Sequence, residues 1–146
     1  MPTLLNAADR TAIIARLHRL TPTLGRHWGK MTSAETVCHL SDQLRVALGD
    51  IAARPVDRLL TRTLLKWIVV YAPVRPPPGK IQTAPEMLSS KPTRWDEDLA
   101  SCERLIERMG SETPAARNPF FGPMSPSQWG RLGWKHLDHH LRQFGV

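Results

Sequence analysis

The sequence predicts an all-α fold: a four-helix bundle whose chain makes one long crossover carrying an extra helix and a proline-rich connector. Three observations carry this. Apolar residues recur at helical spacing in five separate stretches, two of those stretches open on reciprocal capping signatures, and nothing reads as a convincing strand. With 146 residues, 41% of them hydrophobic, the chain can bury a real core and reads as one domain over 1–146.

The first helix is expected from about Asn6, as N-cap, to Leu20, with Ile13, Ile14, Leu17 and Leu20 on one side and Thr21-Pro22 as the stop. The second opens at Thr32-Ser33-Ala34-Glu35, where Thr32 and Glu35 can satisfy each other's backbone donors, and runs to about Gly49 through Val37, Leu40, Leu44, Ala47 and Leu48. A third starts after Arg54-Pro55 and continues to about Tyr71. Its β-branched and aromatic tail, Trp67 to Tyr71, makes a short strand the competitor there.

A connector follows with prolines at 73, 76, 77, 78, 85 and 92, too dense for a helix and suited to extended backbone. The fourth helix begins near Thr93, places Asp96, Glu97 and Asp98 in its first turn, and ends on a Gly110 cap. A loop with Pro114, Pro119 and Pro123 leads to Ser125-Pro126-Ser127-Gln128, which combines a serine cap, proline at the first helical position and a reciprocal glutamine. The last helix runs from there to about Phe144. The first, second, fourth and fifth helices are expected to form the bundle, since amphipathic helices of about fifteen residues bury their stripes best that way.

The formal charge is +7, and the excess sits in the first half: residues 1–75 hold eleven Lys/Arg against five Asp/Glu, residues 76–146 nine against eight. Arg54, Arg58, Arg62 and Lys66 form a four-residue ladder, one basic face if 56–71 is helical. A solvated surface is the first reading, an anionic surface the sharper one. Nucleic-acid motifs and interleaved aromatics are absent, which argues against a nucleic-acid partner. The chain shows neither a signal-peptide pattern nor an apolar run that could span a bilayer, and Cys38 and Cys102 lack metal or redox spacing. A cytoplasmic protein with free thiols is expected.

The last helix carries the chemistry. At about 100° per residue its stripe is Trp129, Leu132, Gly133, His136, Leu137, His140 and Phe144. His136 and His140 therefore point the same way one turn apart, an arrangement that can hold one metal ion. The alternative is a pair of hydrogen-bonded core histidines, each needing partners for a donor and an acceptor. His39, off the centre of the second helix's apolar face, points either into a groove or to solvent. His18 and His27 lack a partner at ligand spacing and read as surface residues. Cys38 points about 100° away from His39 and reads as a small packed residue.

The segment His136-Leu137-Asp138-His139-His140-Leu141-Arg142-Gln143, together with the stretch from Trp28 to Leu40 around His39, resembles the DinB/YfiT-like superfamily of metal-dependent four-helix-bundle proteins. Asn118-Pro119-Phe120-Phe121-Gly122-Pro123-Met124 followed by Gln128-Trp129-Gly130 is similar to an uncharacterised subgroup of it, in which a histidine often stands at the position of Asn118. The resemblance covers nearly the whole chain and implies that His39 joins His136 and His140 as a third ligand. It further implies a divalent-metal-dependent transferase or hydrolase acting on a small molecule, with a low-molecular-weight thiol as co-substrate. Three imidazoles suit Zn, Ni, Cu and Fe alike; Zn or Ni is the first expectation and Fe the next. Gln143, on the face of His136 and His140, and His139, at its margin, are the candidate catalytic residues. The other readings are a non-catalytic metal- or ligand-binding bundle and a basic adaptor. Homodimerisation is left open.

Overall fold

Asn6 opens α1 (Ala7–Leu17) by accepting the Asp9 N–H at 3.1 Å, and Ile13, Ile14 and Leu17 turn inward. The helix ends three residues before Leu20, because the Arg19 and Leu20 N–H groups bond carbonyls three residues back and tighten the last turn. The N-terminal segment is strapped to the last helix: Leu4 N–H donates to Gly130 O at 3.0 Å, and the Leu4 side chain fills the space a Cβ on Gly133 would need. Coordinates come from a computed structural model, which describes residues 1–72 and 85–146. Pro73, Pro76, Pro77 and Pro78 of the expected connector lie outside the described residues.

α2 (Ser33–Leu48) has the expected reciprocal cap, with Thr32 Oγ1 accepting from Glu35 N at 3.2 Å and Glu35 Oε2 from Thr32 N at 2.8 Å. Gly49 closes it at φ 83°, a left-handed conformation that glycine adopts without a steric cost. Almost the whole circumference of α2 is buried, including Thr36, His39, Ser41, Asp42 and Gln43. A helix enclosed on all sides must find partners for its polar groups. Asp42 does: its carboxylate accepts from the Ser90 N–H at 2.7 Å, from the hydroxyls of Ser89 and Ser90, and from Arg45. That knot ties the segment preceding the next long helix to α2.

The chain becomes helical again at residue 59. Thr61–Leu65 forms a π-helical turn and α3 (Lys66–Tyr71) continues it. The Thr61 and Thr63 hydroxyls donate to the carbonyls of Arg58 and Leu59, and this competition for carbonyls accompanies the looser turn. Trp67 to Tyr71 is helix and not strand. Val70 enters the core, and Lys135 Nζ caps the end by donating to the carbonyls of Val69 and Ala72 at 2.6 and 2.8 Å. The basic ladder does not form one face: Arg54 and Arg58 precede the helix, Arg62 pairs with Asp57, and Lys66 donates to Pro123 O.

After a 3-10 turn at Pro85–Leu88, α4 (Trp95–Arg108) starts without a side-chain cap from Arg94. Thr93 braces it instead by donating its N–H and hydroxyl to Asp98. Gly110 is not the expected left-handed cap. The helix ends at Met109 in ordinary right-handed geometry, and Gly110 makes room for the Arg10 guanidinium, which crosses where a Cβ would stand on its way to Glu107. A two-strand hairpin, β1 (Arg117–Asn118) with β2 (Gly122–Pro123), occupies the loop where no strand was expected. Asn118, buried, holds it by accepting the N–H groups of Phe120 and Phe121. Its carboxamide is a turn brace.

α5 (Pro126–Arg142) starts as expected, on a Ser125 cap reciprocated by Gln128 with proline at the first turn. The fold is thus mostly helical, with five α-helices among the described residues. α2 packs on both α4 and α5, and α1 packs on the same two. Their stripes meet in one apolar cluster that includes Leu17, Leu40, Leu44, Ile106, Trp129 and Leu137. Truncating one such leucine to alanine is expected to cost about 2–5 kcal/mol. No described helix is long and apolar enough to cross a membrane.

Candidate metal centre

The packing of α2 on α5 brings His39 against His136 and His140. His39 and His140 are buried, and His136 Nε2 lies 3.1 Å from His39 Nε2 and 3.1 Å from His140 Nε2. The ring centroids are 4.6–4.9 Å apart and the planes cross at 78–89°. The imidazoles therefore present edges to a common point and do not stack. The ligand atoms of all three fall within 4.8 Å of one another.

Two full hydrogen bonds cannot be made in this arrangement. The Nε2 of His136 carries either one proton or one lone pair, yet it has two nitrogen neighbours at equal distance. Gln143 Oε1, a carbonyl oxygen, accepts from His140 Nδ1 at 2.8 Å, which places the His140 proton on Nδ1 and turns the Nε2 lone pair inward. His136 Nδ1 is buried without a hydrogen-bond partner among the described residues. Three inward nitrogens with near-perpendicular rings are what a small cation bound at about 2.0–2.1 Å requires, since its ligand nitrogens stand roughly 2.9–3.4 Å apart. The donor set fits a divalent ion of the imidazole-binding kind.

Electrostatics supports the same chemistry. Burial, and then the neighbouring His140, His39 and His139, hold the His136 pKa well below its ordinary value. Burial and His39 lower that of His140 to about 3. Both rings are thus neutral near pH 7, the form that ligates metal.

One comparison bears on this arrangement, since the match runs from ahead of α1 past the end of α5. The chain belongs to the DUF1569 family, described as a protein of unknown function, whose model matches residues 2–145. No curated protein and no solved structure matches it. In this DUF1569 protein the pair His136/His140 and the separate His39 all reach the cluster.

The other expected residues fall around it. Gln143 is buried and touches His140. His139 is half-buried outside the three-nitrogen cluster, with its ring edge-on to those of His140 at 5.1 Å and Trp28 at 4.9 Å. Burial lowers the His139 pKa despite the opposing Asp138. His18 pairs with Glu103 on the surface, and His27, also exposed, donates its backbone N–H to Gln143 O at 2.6 Å. Cys38 and Cys102 are free and buried, with burial pushing their thiols up to about 11 and about 12. Trp129 is core, its indole N–H donating to Ala115 O.

Three features had no signal in the pattern of residues. Gly29, at φ +90°, lies so close to Gln143 that a Cβ there would stand 2.7 Å from Nε2. The loop carrying His27, Trp28 and Gly29 thus packs over the end of α5 and keeps Gln143 against His140. On α2, Thr36 and Gln43 lie about one turn to either side of His39, and Thr36 Oγ1 and Gln43 Oε1 are buried without hydrogen-bond partners among the described residues.

Proposed function

We propose that His39, His136 and His140 are the ligands of one divalent ion, Zn or Ni in the first place and Fe next, in a DinB-like bundle of α1, α2, α4 and α5. On this reading the protein is a metal-dependent transferase or hydrolase acting on a small molecule, with a low-molecular-weight thiol as the first candidate co-substrate. The observation that carries it is the pair of 3.1 Å contacts at His136 Nε2, which one nitrogen cannot satisfy as two full hydrogen bonds. Such an ion would supply Lewis acidity and lower the pKa of a coordinated water or thiol.

The protein's own groups have defined parts. Gln143 fixes the His140 tautomer and ring plane through Nδ1, a positioning role that commonly tunes ligand strength. His139, kept neutral by burial, is in the form that accepts a proton beside the cluster. Neither cysteine competes as nucleophile, because burial keeps both thiols protonated at pH 7.

The burial of two of the three rings favours a second reading, a closed and non-catalytic metal site. Elemental analysis of the purified protein tests the shared premise: about one divalent ion per chain is expected in wild type and none in His140→Ala, with helical circular dichroism retained. Cobalt substitution separates the two readings. A visible spectrum that shifts on adding azide or a small thiol marks an open coordination position and an enzyme; an unresponsive spectrum marks a closed site.

A further inference from the structure

The helix formed by residues 59–71 is turned inside out for a surface helix. Both of its cations are engaged by protein groups, the exposed Arg62 paired to the buried Asp57 carboxylate and Lys66 donating to the Pro123 carbonyl. Its outward side is dominated by apolar side chains, Leu59 79% exposed, Leu60 64%, Leu64 58% and Trp67 61%, with Thr63 the exposed polar residue among them. A π turn advances less per residue than an α turn, because its bonds close five residues on, and this keeps Leu64 and Trp67 in phase with Leu59 and Leu60. Isolated exposed leucines are ordinary; four large apolar side chains together on one short helix are not.

We propose that this helix lies on an anionic membrane surface, its Leu59, Leu60, Leu64 and Trp67 side chains entering the headgroup–acyl boundary. Charge selects the occupant. Arg54 and Arg58, just ahead of the helix, are exposed and form no ion pair with a described residue, so they are available for acidic headgroups. Leucine and tryptophan beside exposed arginines are the composition of an interfacial helix. A second copy of the chain is a poorer occupant, because a two-fold contact through this patch would bring the two sets of arginines together. The helix is too short to span the bilayer and would lie along it. Val70, packed in the core, and Lys135, capping the Val69 and Ala72 carbonyls, hold it to the body from behind.

The test is co-sedimentation of the full chain with vesicles of phosphatidylcholine containing phosphatidylglycerol, against pure phosphatidylcholine vesicles. Binding at least about tenfold stronger to the anionic vesicles is expected. The double variant Leu60→Glu/Leu64→Glu, altered only at exposed positions, should lose it while keeping its circular dichroism. In wild type the tryptophan emission should move to the blue on anionic vesicles, and Trp67→Phe should abolish that shift. This optical readout stands even if the glutamate variant folds poorly. Absence of wild-type binding to anionic vesicles, or unchanged binding by the glutamate variant, would overturn the proposal. So would a concentration-dependent dimer that the glutamate variant dissolves, which would assign the face to a second copy.

Discussion

Gly29→Ala should weaken metal binding at a centre that this residue does not touch. Two costs follow from the structure. At φ +90° an alanine is strained, by about 1–2 kcal/mol on the scale of left-handed conformations. Its Cβ would also stand 2.7 Å from Gln143 Nε2, so the carboxamide must shift, and the shift is expected to break or lengthen its 2.8 Å bond to His140 Nδ1. The first cost is paid in folding stability. The second releases the His140 ring and its tautomer, and loss of such an outer hydrogen bond commonly weakens metal affinity about 10–100-fold, or roughly 1.4–2.7 kcal/mol. The assay is competition for zinc against a chelator of known affinity, paired with thermal unfolding of the metal-free protein. Gly25→Ala is the control, since a Cβ there meets nothing within 4 Å. Metal affinity should fall in Gly29→Ala, hold in Gly25→Ala, and fall little further when Gly29→Ala is added to Gln143→Ala, because both act through one hydrogen bond. Wild-type affinity in Gly29→Ala, or an undiminished extra loss in the double variant, would refute the coupling.

The metal-free protein should lose stability in acid from about pH 6.5 downward. His136 and His140 are held below the ordinary histidine value, so below that value the unfolded chain binds protons that the folded one does not, down to about pH 3 for His140, and stability falls by up to about 1.4 kcal/mol per pH unit for each ring. Urea titrations at pH 7.5 and 5 check this, and equal midpoints for wild type and a His136→Ala/His140→Ala variant across that interval would count against it. Asp42→Ala should destabilise the fold by about 3 kcal/mol, because it strips a fully buried carboxylate from the Ser89, Ser90 and Arg45 donors. Denaturant unfolding reads this directly, and a loss under about 1 kcal/mol would show that the knot between α2 and the segment before α4 contributes little.

How far the sequence spoke depended on whether an element has an outside. α5 has one, and its stripe placed His136 and His140 in register before any coordinates. α2 has almost none: with Thr36, His39, Ser41, Asp42 and Gln43 all buried, polar residues no longer mark the solvent side and helical phase cannot say where His39 points. Capping boxes at Thr32 and Ser125 were legible because a cap is a local exchange between residues three apart. The end of α4 was not, because Gly110 answers to Arg10 from another helix, a hundred residues away in the chain. The basic ladder failed for a related reason. Counting by fours presumes one unbroken α-helix from Arg54 to Lys66, whereas the helix starts at 59 and passes through a π turn, so the cations turn toward Asp57 and Pro123 while the leucines face out. A pattern of residues specifies what an element can offer on each side; which side meets a partner is decided by the neighbours. For the histidine cluster that decision falls to residues without metal chemistry of their own. Gly29 keeps Gln143 in place and Gln143 sets the tautomer of His140, so the inward lone pair follows from a backbone angle in a loop as much as from the histidine itself.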